Sequence, residues 1–93
     1  MTIFDQIATK IIKEQELIIG PLAWDEAGKV AGIKIEPAHT GVAVENGDQK
    51  TVVDKLIGRY ERLFGRASHE VCKDAVASLI AELSPAEVPA SLR

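Results

Sequence analysis

Apolar residues recur near the helical period through the first twenty or so positions. Phe4, Ile7, Ile11, Ile18 and Leu22 hold one phase, and Ile3, Ala8, Ile12 and Ile19 widen it into a stripe. That is the pattern of a helix with one face turned to a core. Thr2 is placed to cap it, with Asp5 three residues on as the reciprocal partner. Gly20 and Pro21 end it: glycine accepts the backbone of a helix C-terminus, and proline suits the first turn of the next helix. Residues 21–30 then read as a short second helix carrying Trp24.

The period changes between residues 31 and 47. Ile33 and Ile35 alternate with Lys34 and Glu36, and Val42 and Val44 with Ala43 and Glu45, punctuated by Pro37, Gly41 and Asn46-Gly47. Alternation of this kind predicts a short β-hairpin. Arms of only three or four residues leave an irregular loop as the competing reading.

From Lys50 to Leu83 the helical period returns, through Val53, Ile57, Tyr60, Phe64, Ala67, Val71, Ala75, Leu79 and Leu83. Thr51 with Asp54 is a candidate capping box, and Asn46-Gly47-Asp48 reads as a turn followed by a helix N-cap. Gly65 either divides this stretch into two helices or sits inside one helix of ~34 residues, about 50 Å long. The expected fold is therefore mainly α: helix–Gly–helix, a short β-hairpin or loop, then helix–Gly–helix. The alternative is an α+β arrangement with one long C-terminal helix. Residues 1–83 are expected to form a single domain, and residues 84–93, with two of the four prolines, a flexible C-terminal tail.

The two helical stretches resemble each other. A shift of 45 residues lays residues 10–20 on residues 55–65, with Lys10/Lys55, Glu16/Glu61 and Gly20/Gly65 identical. Ile11/Leu56, Ile12/Ile57, Ile18/Leu63 and Ile19/Phe64 match in kind, and Asp25/Glu70 follow. This reads as one helix–Gly–helix unit used twice around a pseudo-two-fold axis, with Gly20, Pro21 and Gly65 as structural turns. Any two amphipathic helices that end in glycine would share part of this pattern.

Charge adds one feature. The whole chain is at −3. Residues 1–49 hold four Lys/Arg against eight Asp/Glu, a net of −4, and residues 50–83 six against five, a net of +1. Lys55, Arg59, Arg62, Arg66, His69 and Lys73 are spaced 4, 3, 4, 3, 4, which on a continuous helix makes one basic stripe. These six, with Trp24 as a possible surface anchor, are the candidate partner-binding residues. The stripe would meet something acidic: a partner protein, a phosphate backbone or the N-terminal half of a second copy. The plain alternative is a solvated face laced with Glu61, Glu70 and Asp74, with Trp24 in the core.

Little else carries chemistry. His69 and Cys72 share a helix face, but a structural metal needs about four convergent ligands, and one further histidine and no further cysteine exist. No metal or cofactor is expected. Cys72 reads as a buried small hydrophobe. His39 has no serine near it, Ser68 beside His69 points elsewhere on a helix, and Asn46-Gly47-Asp48 lacks calcium-loop register. A lone cysteine and an acidic start without a signal-peptide pattern lead to a cytoplasmic, non-membrane expectation. The expected function is a small regulatory or adaptor module acting through protein–protein interaction, self-association as a homodimer included. Nucleic-acid binding through the basic ridge is the alternative, and a small enzyme the remote one.

Overall fold

Thr2 and Asp5 form the expected capping box: the Asp5 amide donates to the Thr2 hydroxyl at 3.1 Å, and the Thr2 amide to the Asp5 carboxylate at 2.9 Å. They open helix α1 (Ile3–Ile19), which is followed by α2 (Leu22–Ala27), strands β1 (Ile33–Ile35) and β2 (Val42–Val44), and helices α3 (Gln49–Phe64) and α4 (Arg66–Ile80). Two 3-10 turns, Pro85–Glu87 and Ala90–Leu92, complete the chain. The computed structural model describes residues 2–38, 41–45 and 47–92. His39 and Asn46, weighed above for loop chemistry and a turn, lie outside the described residues. The fold is mainly α with a short hairpin between its helical halves. Among the described residues no helix is long and apolar enough to cross a membrane.

Gly65 divides the second half. Its φ is +89° and ψ 179°, a conformation essentially reserved for glycine. The longest dimension of the molecule is 32 Å, so a single 50 Å helix has no place in it. The glycine also resets the helical phase. Val53, Ile57 and Tyr60 are buried as expected, but beyond Gly65 the buried positions are Ser68, Cys72 and Val76, one residue later than the expected Ala67, Val71 and Ala75. The apparently unbroken period was a coincidence of two helices. The Thr51–Asp54 box is likewise replaced. Asp48 caps α3, accepting from the Thr51 amide at 3.2 Å, and Asp54 serves the tail instead.

The 45-residue shift is also a correspondence of structure. Gly20 has φ +71° and ψ −157°, the same region as Gly65. The Gly20 amide donates to Glu16 O at 2.9 Å and the Gly65 amide to Glu61 O at 2.8 Å. Three residues beyond each glycine, Ala23 and Ser68 donate back to it. Each corner is then bridged by a glutamate four residues before the glycine and a ring nitrogen four residues after it: Glu16 with Trp24 Nε1, and Glu61 with His69 Nδ1. The two units are tied reciprocally. Gln15 Nε2 donates to Ser68 O at 3.1 Å, and Tyr60 Oη to Ala23 O at 2.6 Å. Gln15 and Tyr60 are equivalent under the shift, as are Ala23 and Ser68, so each unit offers the same donor and the same acceptor. That is how a two-fold interface is built.

These ties bring both corners to one end of the molecule. From there α4 runs back antiparallel to α1, with Cys72 beside Gln15 and Leu79 beside Thr9 and Lys10. The core between them is Ile7, Ile11, Ile12, Trp24, Leu56, Ile57, Tyr60 and Val76, all nearly inaccessible. The hairpin pairs Ile33 with Val44 and Ile35 with Val42. The outer edge of β2 is satisfied by α1: Val42 N–H donates to Thr9 Oγ1 at 3.1 Å and Val44 N–H to Asp5 at 2.7 Å. An edge that would otherwise invite another strand is thus covered. Burial pushes the Asp5 carboxyl up, but the amides of Val44 and Thr2 outweigh it and hold it below its usual value.

Residues 84–92, expected above as a flexible tail, are folded against α3 and α4. Val88, Pro89 and Leu92 are buried, the Ala90 and Ser91 amides donate to Asp54, and Lys50 Nζ donates to Ala86 O at 2.9 Å. His69 closes this latch, with Nδ1 on the Glu61 carboxylate and Nε2 on the Ser91 carbonyl. A carbonyl and an ionised carboxylate only accept, so both ring nitrogens donate and the docked form holds a charged imidazolium. The Ser91 carbonyl raises the His69 pKa against the effect of burial, and the Glu61 and Glu70 carboxylates add to the rise. A raised pKa stabilises the fold fully below about 6.5, the ordinary imidazole value, and that stabilisation is lost as pH rises through the higher folded value. Hydrogen exchange of the Ala90–Leu92 amides should therefore quicken, beyond the intrinsic base catalysis, as pH rises above about 6.5. His69→Ala should remove that extra dependence; equal excess in both proteins would contradict the latch.

Candidate functional site

Of the six residues expected on one basic stripe, α3 carries three. Lys55, Arg59 and Arg62 follow each other at intervals of 4 and 3 along one face. Arg66, His69 and Lys73 belong to α4, beyond the Gly65 break, and do not continue the stripe. Arg66 is exposed, Lys73 half-buried, and His69 is spent on Glu61 and Ser91. Trp24 is 1% exposed and bonded to Glu16 at 2.7 Å, so it anchors the core and presents no surface to a partner.

What α3 loses to the break it gains from α2. Lys29, two residues past the end of that helix, lines with Lys55, Arg59 and Arg62 a cavity of about 280 Å³ whose walls also include Val30, Ala31 and Gly58. Glu26 organises one side. Its carboxylate takes Lys29 Nζ at 2.9 Å and Arg59 through both Nε and Nη2, at 2.9 and 2.8 Å. These two cations, Lys29 first, hold the Glu26 carboxyl below its usual value. Lys55 and Arg62 have no ion pair among the described residues. The other acids of α3 look away: Asp54 holds the tail amides and Glu61 holds His69.

Comparison with known protein families, curated protein sequences and solved structures finds no match.

A second surface lies at the corner end. Leu17 is 80% exposed, Ile18 58%, Leu63 45% and Leu22 43%. Ile18 and Leu22 were expected on the buried stripe. Gln15 takes that place in the core instead, fully buried, donating to Ser68 O and to Cys72 Sγ at 3.4 Å. Gln15 Oε1 finds no partner among the described residues. The core groups offer no activated nucleophile. Burial pushes the Cys72 thiol up to about 11 and the Tyr60 hydroxyl above its ordinary value. Among the described residues no three His, Cys, Asp or Glu side chains gather around a point where a metal ion would sit.

Two features of the site were missed in the sequence. Lys29 and Arg59 are 30 positions apart, and only Glu26 joins them. Gly58 left a signal, being a glycine inside a strongly periodic helix between two cations, where propensity disfavours it.

Proposed function

We propose that the chain is a small cytoplasmic regulatory or adaptor module, non-enzymatic, that acts by docking protein, with a second copy of itself as the occupant. The observation that carries this reading is where the exposed apolar side chains lie. Single exposed leucines are ordinary on a protein surface. Here every large apolar side chain that is exposed among the described residues belongs to the two glycine corners, and both corners stand at the same end. Ile18 and Leu63 are equivalents under the 45-residue shift, so the end presents related apolar points from both units. Their surroundings differ in charge: Arg62 and Arg66 flank Leu63, whereas Asp25 is exposed beside Leu22. A two-fold pairing of two copies sets the arginine corner of each against the acidic corner of the other, twice over.

Sedimentation equilibrium tests this. The native protein should show a reversible dimer at roughly 10–100 µM, the range of small transient interfaces. Leu17→Glu with Ile18→Glu should be monomeric with unchanged helix content, because both side chains are exposed. A native protein that stays monomeric over that range would overturn self-docking.

A further inference from the structure

We infer that the cavity between the end of α2 and the face of α3 is a binding site for a small phosphate-bearing molecule. Three independent observations converge there. The first is charge. Lys29, Lys55, Arg59 and Arg62 come from two separate elements to one cavity, and among the described residues the one carboxylate ion-paired with any of them is Glu26. Like charges gathered in this way repel, and nothing in the packing of the core requires Lys55 or Arg62 to be cationic. A ligand with two or more negative charges relieves the repulsion.

The second is organisation. Glu26 is 7% exposed, and its oxygens fix both Lys29 Nζ and the Arg59 guanidinium, which would otherwise be free to sweep through solvent. Fixed cations lose less freedom when they bind. Arg59 and Arg62 bring planar forks, suited to paired oxygens on one phosphorus, and Lys55 and Lys29 bring point charges.

The third is Gly58. Its neighbours in the glycine set with positive φ are needed for turns, but Gly58 is not among them. It sits inside α3 with ordinary helical geometry, where alanine would be the better residue. Nothing lies within 4 Å of the point a Cβ would occupy, so packing does not demand glycine either. What its missing side chain does is leave the cavity open to the backbone of α3, the usual consequence of glycine where a ligand approaches closely. Under the 45-residue shift its equivalent is Lys13, so the opening is peculiar to this half.

The cavity is small, about 280 Å³, and open to solvent. That size suits a phosphate ester or diphosphate rather than a track along a polymer, and the α4 cations Arg66 and Lys73, separated by the Gly65 corner, are not part of it. The site shares Arg62 with the flank of the self-docking end; Lys55, two turns earlier on α3, belongs to the cavity alone, so Lys55→Ala tests the site separately. Inorganic pyrophosphate titrated into the full chain by calorimetry should bind saturably at sub-millimolar concentration. Lys55→Ala and Arg62→Ala should each weaken it about tenfold or more, while Arg66→Ala and Lys73→Ala should leave it within about twofold. Gly58→Ala should raise the melting temperature and yet weaken binding, a combination that a purely structural role for the glycine does not give. Equal weakening by all four cation variants, or tighter binding of a DNA duplex that depends equally on Arg66 and Lys73, would overturn the proposal by making the attraction diffuse. So would an absence of binding at roughly millimolar pyrophosphate.

Discussion

Trp24→Ala is expected to destabilise the protein by about 3–5 kcal/mol, the range for removing a fully buried large aromatic. A domain of this size has little to spare, since total stability of small proteins is roughly 5–15 kcal/mol. Trp24 is 1% exposed and among the largest fully buried side chains. It also carries a bond that spans the first corner, from Nε1 to Glu16 at 2.7 Å. Trp24→Phe separates the two contributions, because phenylalanine keeps most of the apolar volume and loses the donor. Its cost should be nearer 1–2 kcal/mol. Urea unfolding followed by circular dichroism measures both. A loss below about 1 kcal/mol for Trp24→Ala would mean that the indole lies at the surface.

Gly20→Ala and Gly65→Ala should each cost roughly 1–3 kcal/mol, and for the same reason. Both glycines hold a positive φ with an extended ψ, at +71° and −157° and at +89° and 179°. No atom lies within 4 Å of a Cβ at either position. The cost is therefore one of backbone conformation and not of collision, and it should be similar for alanine and serine. Gly58→Ala supplies the opposite sign. In the interior of α3, alanine is better than glycine by about 0.5–1 kcal/mol. A stabilising Gly65→Ala would mean that α3 and α4 are one helix, and the correspondence between the halves would fail with it.

Much of the architecture was legible because it rests on local chemistry. Thr2 with Asp5 and the two glycines announce helix ends through their own side chains or lack of them. The alternation around Ile33 and Val42 announces a hairpin. The misreadings have a common cause. Periodicity assigns a face but cannot register a phase change. Tyr60, Phe64 and Ala67 kept the count running through Gly65, so Ala67 was expected inside where Ser68 is. Ile18 and Leu22 continued the stripe of α1, although Gln15 had already taken the core position through bonds to residues 53 and 57 places away. A polar side chain buried by a distant carbonyl leaves no local trace. The same holds for the tail, whose anchors Asp54 and His69 are 37 and 22 residues from Ser91, and for the cavity, which exists only once Lys29 is laid beside α3.

The correspondence between the halves also explains their difference. Arg59 and Arg62 stand where the other unit has Glu14 and Leu17, and Gly58 where it has Lys13. One unit directs a basic, open face at solvent, the other a leucine that is 80% exposed. Equivalent positions of the two halves thus carry a cation in one and an exposed leucine in the other.

Docking at the corner end is most directly tested by a dilution series of amide correlation spectra of the native protein. Leu17, Ile18, Leu22 and Leu63, with their immediate neighbours, are expected to shift with concentration, while the hairpin residues Ile33–Ile35 and Val42–Val44 hold still. Spectra that do not change on dilution, or changes that map to the hairpin face instead, would contradict it.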